Sequence, residues 1–241
     1  MKTILILAPR LDVPFKDFGP VSSIRGPLEP IRKHWETFIG QVKQQHEQSD
    51  HKVLVIERPM WQFSVEETNA MVSTFNVDIV YVPHREAATF PIEGALAKYY
   101  MQTVFPWRFY IDHKGYAGGS ELYDLMPTAI KLGDPNGAWF TTLRTYALQG
   151  RTKFNQPEMG KWAGPGEYVT FTCQLPHDHV IKYHSDVSEE DALRETCEAT
   201  KALNQILVVK GHVISRDSMA PLRAITKEYT HTLWEENANI H

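Results

Sequence analysis

The sequence predicts an α/β protein, a Rossmann-like parallel-sheet lobe followed by a second, incomplete βαβ lobe. Two observations carry that prediction. Short apolar runs rich in Val, Ile, Leu and Phe alternate along the chain with segments of helical period, the pattern of parallel sheets with helices on their faces. The stretch Tyr168 to His212 then spells strand, helix and strand in succession, a βαβ unit whose crossover is almost always right-handed.

Taken in order, Thr3–Ala8 is apolar throughout, as a strand buried on both faces requires. Arg10 to Pro30 carries four prolines, two glycines and the pair Ser22-Ser23, a long loop of the kind that usually serves function. A helix starts near Pro30, since proline suits a first turn, and runs through Trp35, Phe38, Ile39 and Val42 to about Gln48. Lys52–Glu57 is the second strand, Val65–Phe75 a helix capped by Ser64, and Asp78–Val82 the third strand, ending in Pro83-His84-Arg85. Gly94–Gln102 reads as a helix and Trp107–Ile111 as the fourth strand. The turn Asp112 to Ser120, which holds Lys114, Gly118 and Gly119, leads into a helix near Ser120. Such a turn can aim backbone N–H groups at an anion, although a tight turn needing glycine dihedrals is the simpler reading. Thr141–Leu148 suits a further helix.

Gly150 to Gly166 has two prolines and four glycines. It places a linker at 151–166, between an amino-terminal lobe of residues 1–150 and a carboxyl-terminal one of 167–241. In the second lobe, Tyr168–Leu175 and Gln205–Lys210 are strands. Ser188 with Asp191 opens a capping-box-like helix carrying Ala192, Leu193, Cys197, Ala199, Thr200 and Leu203 on one face. Leu222 to Tyr229 and Thr232–Asn237 are expected to be helical. Two such lobes would leave a cleft between the carboxyl edges of their strands.

Composition excludes more than it identifies. The 241 residues have a net charge of −4 and no basic block, so nothing asks for duplex nucleic acid. The start MKTILILAPR has too short an apolar run for a signal peptide or membrane span, and cytoplasmic residence is the expectation. Cys173 and Cys197 fall on a strand and a helix, as buried thiols of a reducing compartment do. His177, His179 and His184 lack a clear further ligand, so no metal site is expected.

Polar clusters follow both strands of the βαβ unit. Gln174, Asp178, His184 and Ser185 come after the first, and Lys210, Gly211 and His212 after the second. A carboxylate there can act as a base or nucleophile, or simply cap a turn. Lysine and histidine can hold a phosphate or a sugar acid, and glycine lets a ligand approach the backbone. Equally, the lysine can snorkel at a strand end and the histidine can bond within a turn.

Gln174-Leu175-Pro176-His177-Asp178, then His184-Ser185, then Leu207-Val208-Val209-Lys210-Gly211-His212 resembles the capsule polysaccharide biosynthesis family, which includes the bacterial Kdo transferases. Gln174 and Asp178 match its Gln-x-x-x-Asp motif, and Lys210 and His212 its Lys-x-His-Pro motif. The likeness spans roughly Val169 to His241; the preceding residues share only the βα pattern. The resemblance implies a two-lobed GT-B-like glycosyltransferase that transfers a nucleotide-activated sugar, CMP-linked in the relatives, to a saccharide acceptor without a further cofactor. It implies Asp178 as catalytic carboxylate, Gln174 as its orienting partner, and His212 and Lys210 on the leaving phosphate. Ser185 and His184 would lie nearby, and Arg10, Lys114, Gly118 and Gly119 would face the acceptor.

Two departures stand out. Val213 replaces the proline of the second motif. At Asn237–His241 the relatives continue into a strand and a Ser/Gly-rich turn with a glutamate that helps hold the donor nucleotide; here Tyr229–Ile240 is expected to be only the approach to that strand, the lobe being truncated there. An uncovered sheet edge would invite a homo-oligomer or a complementary carboxyl-terminal chain. The alternative is therefore a non-catalytic or split-enzyme subunit whose donor site a partner completes. An α/β-hydrolase is a third reading, disfavoured because no Gly-x-Ser-x-Gly elbow is present.

Overall fold

A computed structural model of the chain describes residues 1–10, 29–59, 62–103, 108–116, 119–133, 137, 141–142, 144–145, 164, 166–174, 181, 185–212 and 219–235. It is an α/β protein of two compact units.

The first unit is a five-stranded sheet in the order β2-β1-β3-β4-β5, with β1 Thr3–Pro9, β2 Lys52–Arg58, β3 Ile79–Pro83, β4 Leu96–Gln102 and β5 Phe109–Asp112. The first four are parallel and β5 is antiparallel to β4. β1 lies mid-sheet with six of its seven residues buried, which is why its sequence shows no alternation. One face is covered by α1 (Glu29–Glu47), whose Trp35 and Val42 pack on Ile4, Ile6, Ile79, Tyr81 and Tyr100. The other is covered by α2 (Val65–Phe75), whose Val72 packs with Phe63 and Phe90 on Leu5, Leu7, Val80, Val82 and Tyr99. Ser64 caps α2 as expected, accepting the Glu67 N–H at 3.2 Å. Helix α3 (Glu121–Leu132) follows β5. Four described residues within the expected helix Thr141–Leu148 are helical; its remainder, like most of the expected linker, lies outside the described residues.

One segment here departs from the sequence reading. Gly94–Gln102 was expected to be a helix, yet Leu96–Gln102 is a strand between β3 and β5. The Ala, Leu and Lys residues that favour a helix locally are overruled by the tyrosines. Tyr99 and Tyr100 point to opposite faces and fill both cores, and their hydroxyls donate to Phe90 O at 2.8 Å and Leu7 O at 2.6 Å. Consequently β3 reaches β4 without a crossover helix, and the expected series of four βα pairs is broken.

The second unit is a three-stranded parallel sheet, β6 (Val169–Thr172), β7 (Leu207–Lys210) and β8 (Thr232–Glu235), in sequence order. Its crossovers are α4 (Glu189–Ala202) and α5 (Ala220–Lys227). Leu193 and Cys197 of α4 and Leu222 and Ile225 of α5 share one core with Cys173, Leu207 and Val209, so both helices cover the same face. That is the outcome of two crossovers of one hand that step along a sheet in one direction. Here the second departure occurs. Thr232–Asn237 was expected to be helical; instead Thr232–Glu235 pairs with β7. Trp234 turns inward to the core while Leu233 is exposed, the period-two pattern that pairing with β7 imposes.

Candidate functional site

The carboxyl edge of the second sheet gathers the motif residues. β6 and β7 run in register, Thr172 beside Lys210, and β8 adds Glu235 next to Lys210. Since Val169, Phe171, Cys173, Leu207, Val209 and Trp234 all belong to the helix-covered core, alternation puts Thr172, Lys210 and Glu235 on the opposite face. Pairing continues past the strand ends, with Cys173 N–H donating to Lys210 O and Gly211 N–H to Glu235 O, both at 2.9 Å. Gln174 and His212 stand one residue beyond the last of these pairings. The register between the strands thus sets Gln174, Lys210 and His212 at neighbouring strand ends.

Their environments differ. Gln174 is exposed, His212 half-buried, and Lys210 only 4% exposed. A lysine this buried is held by defined partners rather than by bulk water. Ser185 is exposed on the approach to α4; its hydroxyl donates to Val187 O at 2.7 Å and accepts the Val187 N–H at 3.4 Å. Next, Ser188 closes the helix start. Its hydroxyl accepts the Asp191 N–H at 3.0 Å, as the Ser188/Asp191 spacing predicts, and donates to the Asp191 carboxylate at 2.6 Å, so that the carboxylate takes the hydroxyl. Asp178 and His184 lie outside the described residues.

Two features of this edge were not legible in the sequence. Glu189, the first residue of α4, turns back to accept the Gln174 N–H. Its second oxygen is buried without a donor, and burial pushes its carboxyl above the ordinary range against the pull of the Gln174 N–H. Gly211 is shaped by packing as well: a Cβ there would fall 2.8 Å from Trp234 Cζ2. The indole takes the space that a ligand's approach would need. The neighbouring thiol of Cys173 is pushed up to about 12, by burial first and Glu189 second, so it stays protonated.

In the first unit, strand order reverses around β1 and β3, where doubly wound sheets bind ligands. Arg10 is exposed just after β1 and donates its N–H to Arg58 O at 2.8 Å. After β3, His84 adopts a left-handed φ of 51° that non-glycine residues seldom take, and its ring lies 4.7 Å from that of Tyr116. The glycine-bearing turn holds an anion, and that anion belongs to the protein. The buried Asp112 carboxylate accepts N–H groups from Lys114 at 2.7 Å, Gly115 at 3.0 Å, Glu121 at 2.9 Å and Leu122 at 3.4 Å. The Lys114 ammonium pairs with Asp124 at 2.5 Å, which raises its pKa. At Gly119 a Cβ would lie 2.1 Å from the carboxylate of Glu86, itself 2% exposed. Gly118 lies outside the described residues.

Among the described residues no group of three or more His, Cys, Asp or Glu could hold a metal ion, and no helix is long and apolar enough to cross a membrane. Compared with known proteins, the chain matches no family model and no curated sequence.

Proposed function

We propose that this chain is a nucleotide-sugar-dependent glycosyltransferase of the capsule polysaccharide and Kdo-transferase type, with the donor handled at the carboxyl edge of β6 and β7. One observation carries the reading. Gln174 of the first motif and Lys210 and His212 of the second stand at the carboxyl ends of adjacent parallel strands. Two motifs separated by a whole helix in sequence meet where open α/β sheets take their ligands.

The chemistry follows from the residue types. Negative charge grows on the donor phosphate as the glycosidic bond breaks, and the Lys210 ammonium and a ring N–H of His212 favour that charge. Asp178, four residues beyond Gln174, supplies a carboxylate. In a retaining double displacement it attacks the anomeric carbon while the bonding pair departs with the nucleotide phosphate. The acceptor hydroxyl then displaces the carboxylate and loses its proton. A two-lobed GT-B arrangement, with acceptor contacts from the first unit, belongs to the same proposal.

The test is calorimetry with CMP, CDP and UDP, followed by transfer from a matching nucleotide sugar. Binding of one nucleotide by the wild type, with Asp178→Ala abolishing transfer and leaving circular dichroism unchanged, is the expected result. Transfer at the wild-type rate in that variant would refute the role of Asp178. Failure to bind any nucleotide would instead favour the binding-subunit alternative.

A further inference from the structure

We infer that Glu189 is the positioning residue of this edge, holding the main chain at Gln174, two residues beyond the end of β6. The inference rests on the glycosyltransferase reading for what Gln174 serves, but not for the contact itself. β6 is an edge strand. Cys173 N–H faces β7 and bonds Lys210 O, so the next N–H, that of Gln174, points away from β7. The Glu189 carboxylate accepts it in place of a neighbouring strand.

A plain helix-start glutamate would behave otherwise. Acidic residues in a first turn favour the helix by facing its N-terminal dipole, and solvent exposure costs them nothing. Glu190 and Asp191 fill that role on the exposed side, and Ser188 supplies the cap. Glu189 instead buries one oxygen with no donor, an arrangement that costs stability. Its raised pKa reports the same cost. Costly arrangements of this kind persist where a site's geometry demands them, and the group held here is the first motif residue.

Two conservative variants separate reach from charge. Glu189→Gln keeps the length and an acceptor oxygen while losing the charge; Glu189→Asp keeps the charge and draws the carboxylate back by one methylene. Amide hydrogen exchange at Gln174 is read in each, together with the CMP affinity. Positioning predicts about tenfold faster exchange at Gln174 and a CMP Kd weaker by about tenfold in Glu189→Asp. Both quantities should stay within about threefold of wild type in Glu189→Gln. A helix-dipole role predicts the reverse order and would overturn the inference. So would exchange at Gln174 that neither variant changes, or faster exchange that leaves CMP binding intact. If the wild type binds none of CMP, CDP and UDP, the glycosyltransferase reading fails, and exchange at Gln174 decides the positioning role on its own.

Discussion

Gly211→Ala tests whether the glycine of the second motif serves a ligand or a side chain. An added Cβ would lie 2.8 Å from Trp234 Cζ2, 3.4 Å from Cε2 and 3.6 Å from Cη2. Carbon contacts are comfortable at about 3.5–4.0 Å, so the indole or the β7 end must move by roughly 0.7 Å. Neither yields easily. Gly211 N–H is tied to Glu235 O at 2.9 Å, and Trp234 packs on the second core with the Arg223 guanidinium 5.2 Å from its ring centre. Overpacking of this kind costs about 1–3 kcal/mol. With a urea dependence of about 1–3 kcal/mol per molar, the second unit's unfolding midpoint should fall by about 1 M. Amide exchange along β7 and β8 locates the loss. Trp234→Leu in the Gly211→Ala background should recover part of it, with a coupling of about 1–2 kcal/mol. An unchanged midpoint combined with lost nucleotide binding would refute the packing argument and return Gly211 to a ligand-facing role.

Two further outcomes concern the first unit. The His46 Nε2 lies 2.9 Å from the Tyr81 hydroxyl, its ring stacks on His51 at 5.5 Å, and Lys98 Nζ lies 5.5 Å from the centre of the Tyr81 ring. Burial first, then His51 and Lys98, lower its pKa below 6.5. The unfolded chain therefore takes up the proton first, and this contribution to stability is full above pH 6.5 and declines as pH falls from there toward the folded pKa. Urea midpoints of the first unit measured from pH 7.5 down to 5 should show that decline, and His46→Gln should make it shallower; an unaltered slope would exclude His46 as a source. Asp112→Ala should orphan the N–H groups of Gly115 and Glu121 and cost about 1–3 kcal/mol for each donor left buried. Exchange at those two amides should rise well above wild type, whereas Asp112→Asn, which keeps one acceptor oxygen, should release only part of the turn.

What was legible in the sequence has a common character: it is local. The caps at Ser64 and Ser188 sit three residues from the N–H groups that they accept. The buried run of β1 and the helical stripes of α1, α2 and α4 lie within single segments. The motif spacings also carried over, because a strand–helix–strand unit has one favoured hand and its two carboxyl ends must be neighbours. By itself, then, the sequence determined the α/β class, most element positions and the adjacency of the two strands that precede the motif residues. Tertiary structure alone decided the rest, because each remaining outcome depends on a partner that local sequence cannot specify. Leu96–Gln102 and Thr232–Glu235, both expected to be helical, became strands through pairing with β3, β5 and β7. Gly211 answers to Trp234, the glycine-bearing turn to Asp112 and Glu86, and Gln174 to Glu189. Packing and hydrogen bonding act through space, and only the folded chain shows which residues have come within reach of one another.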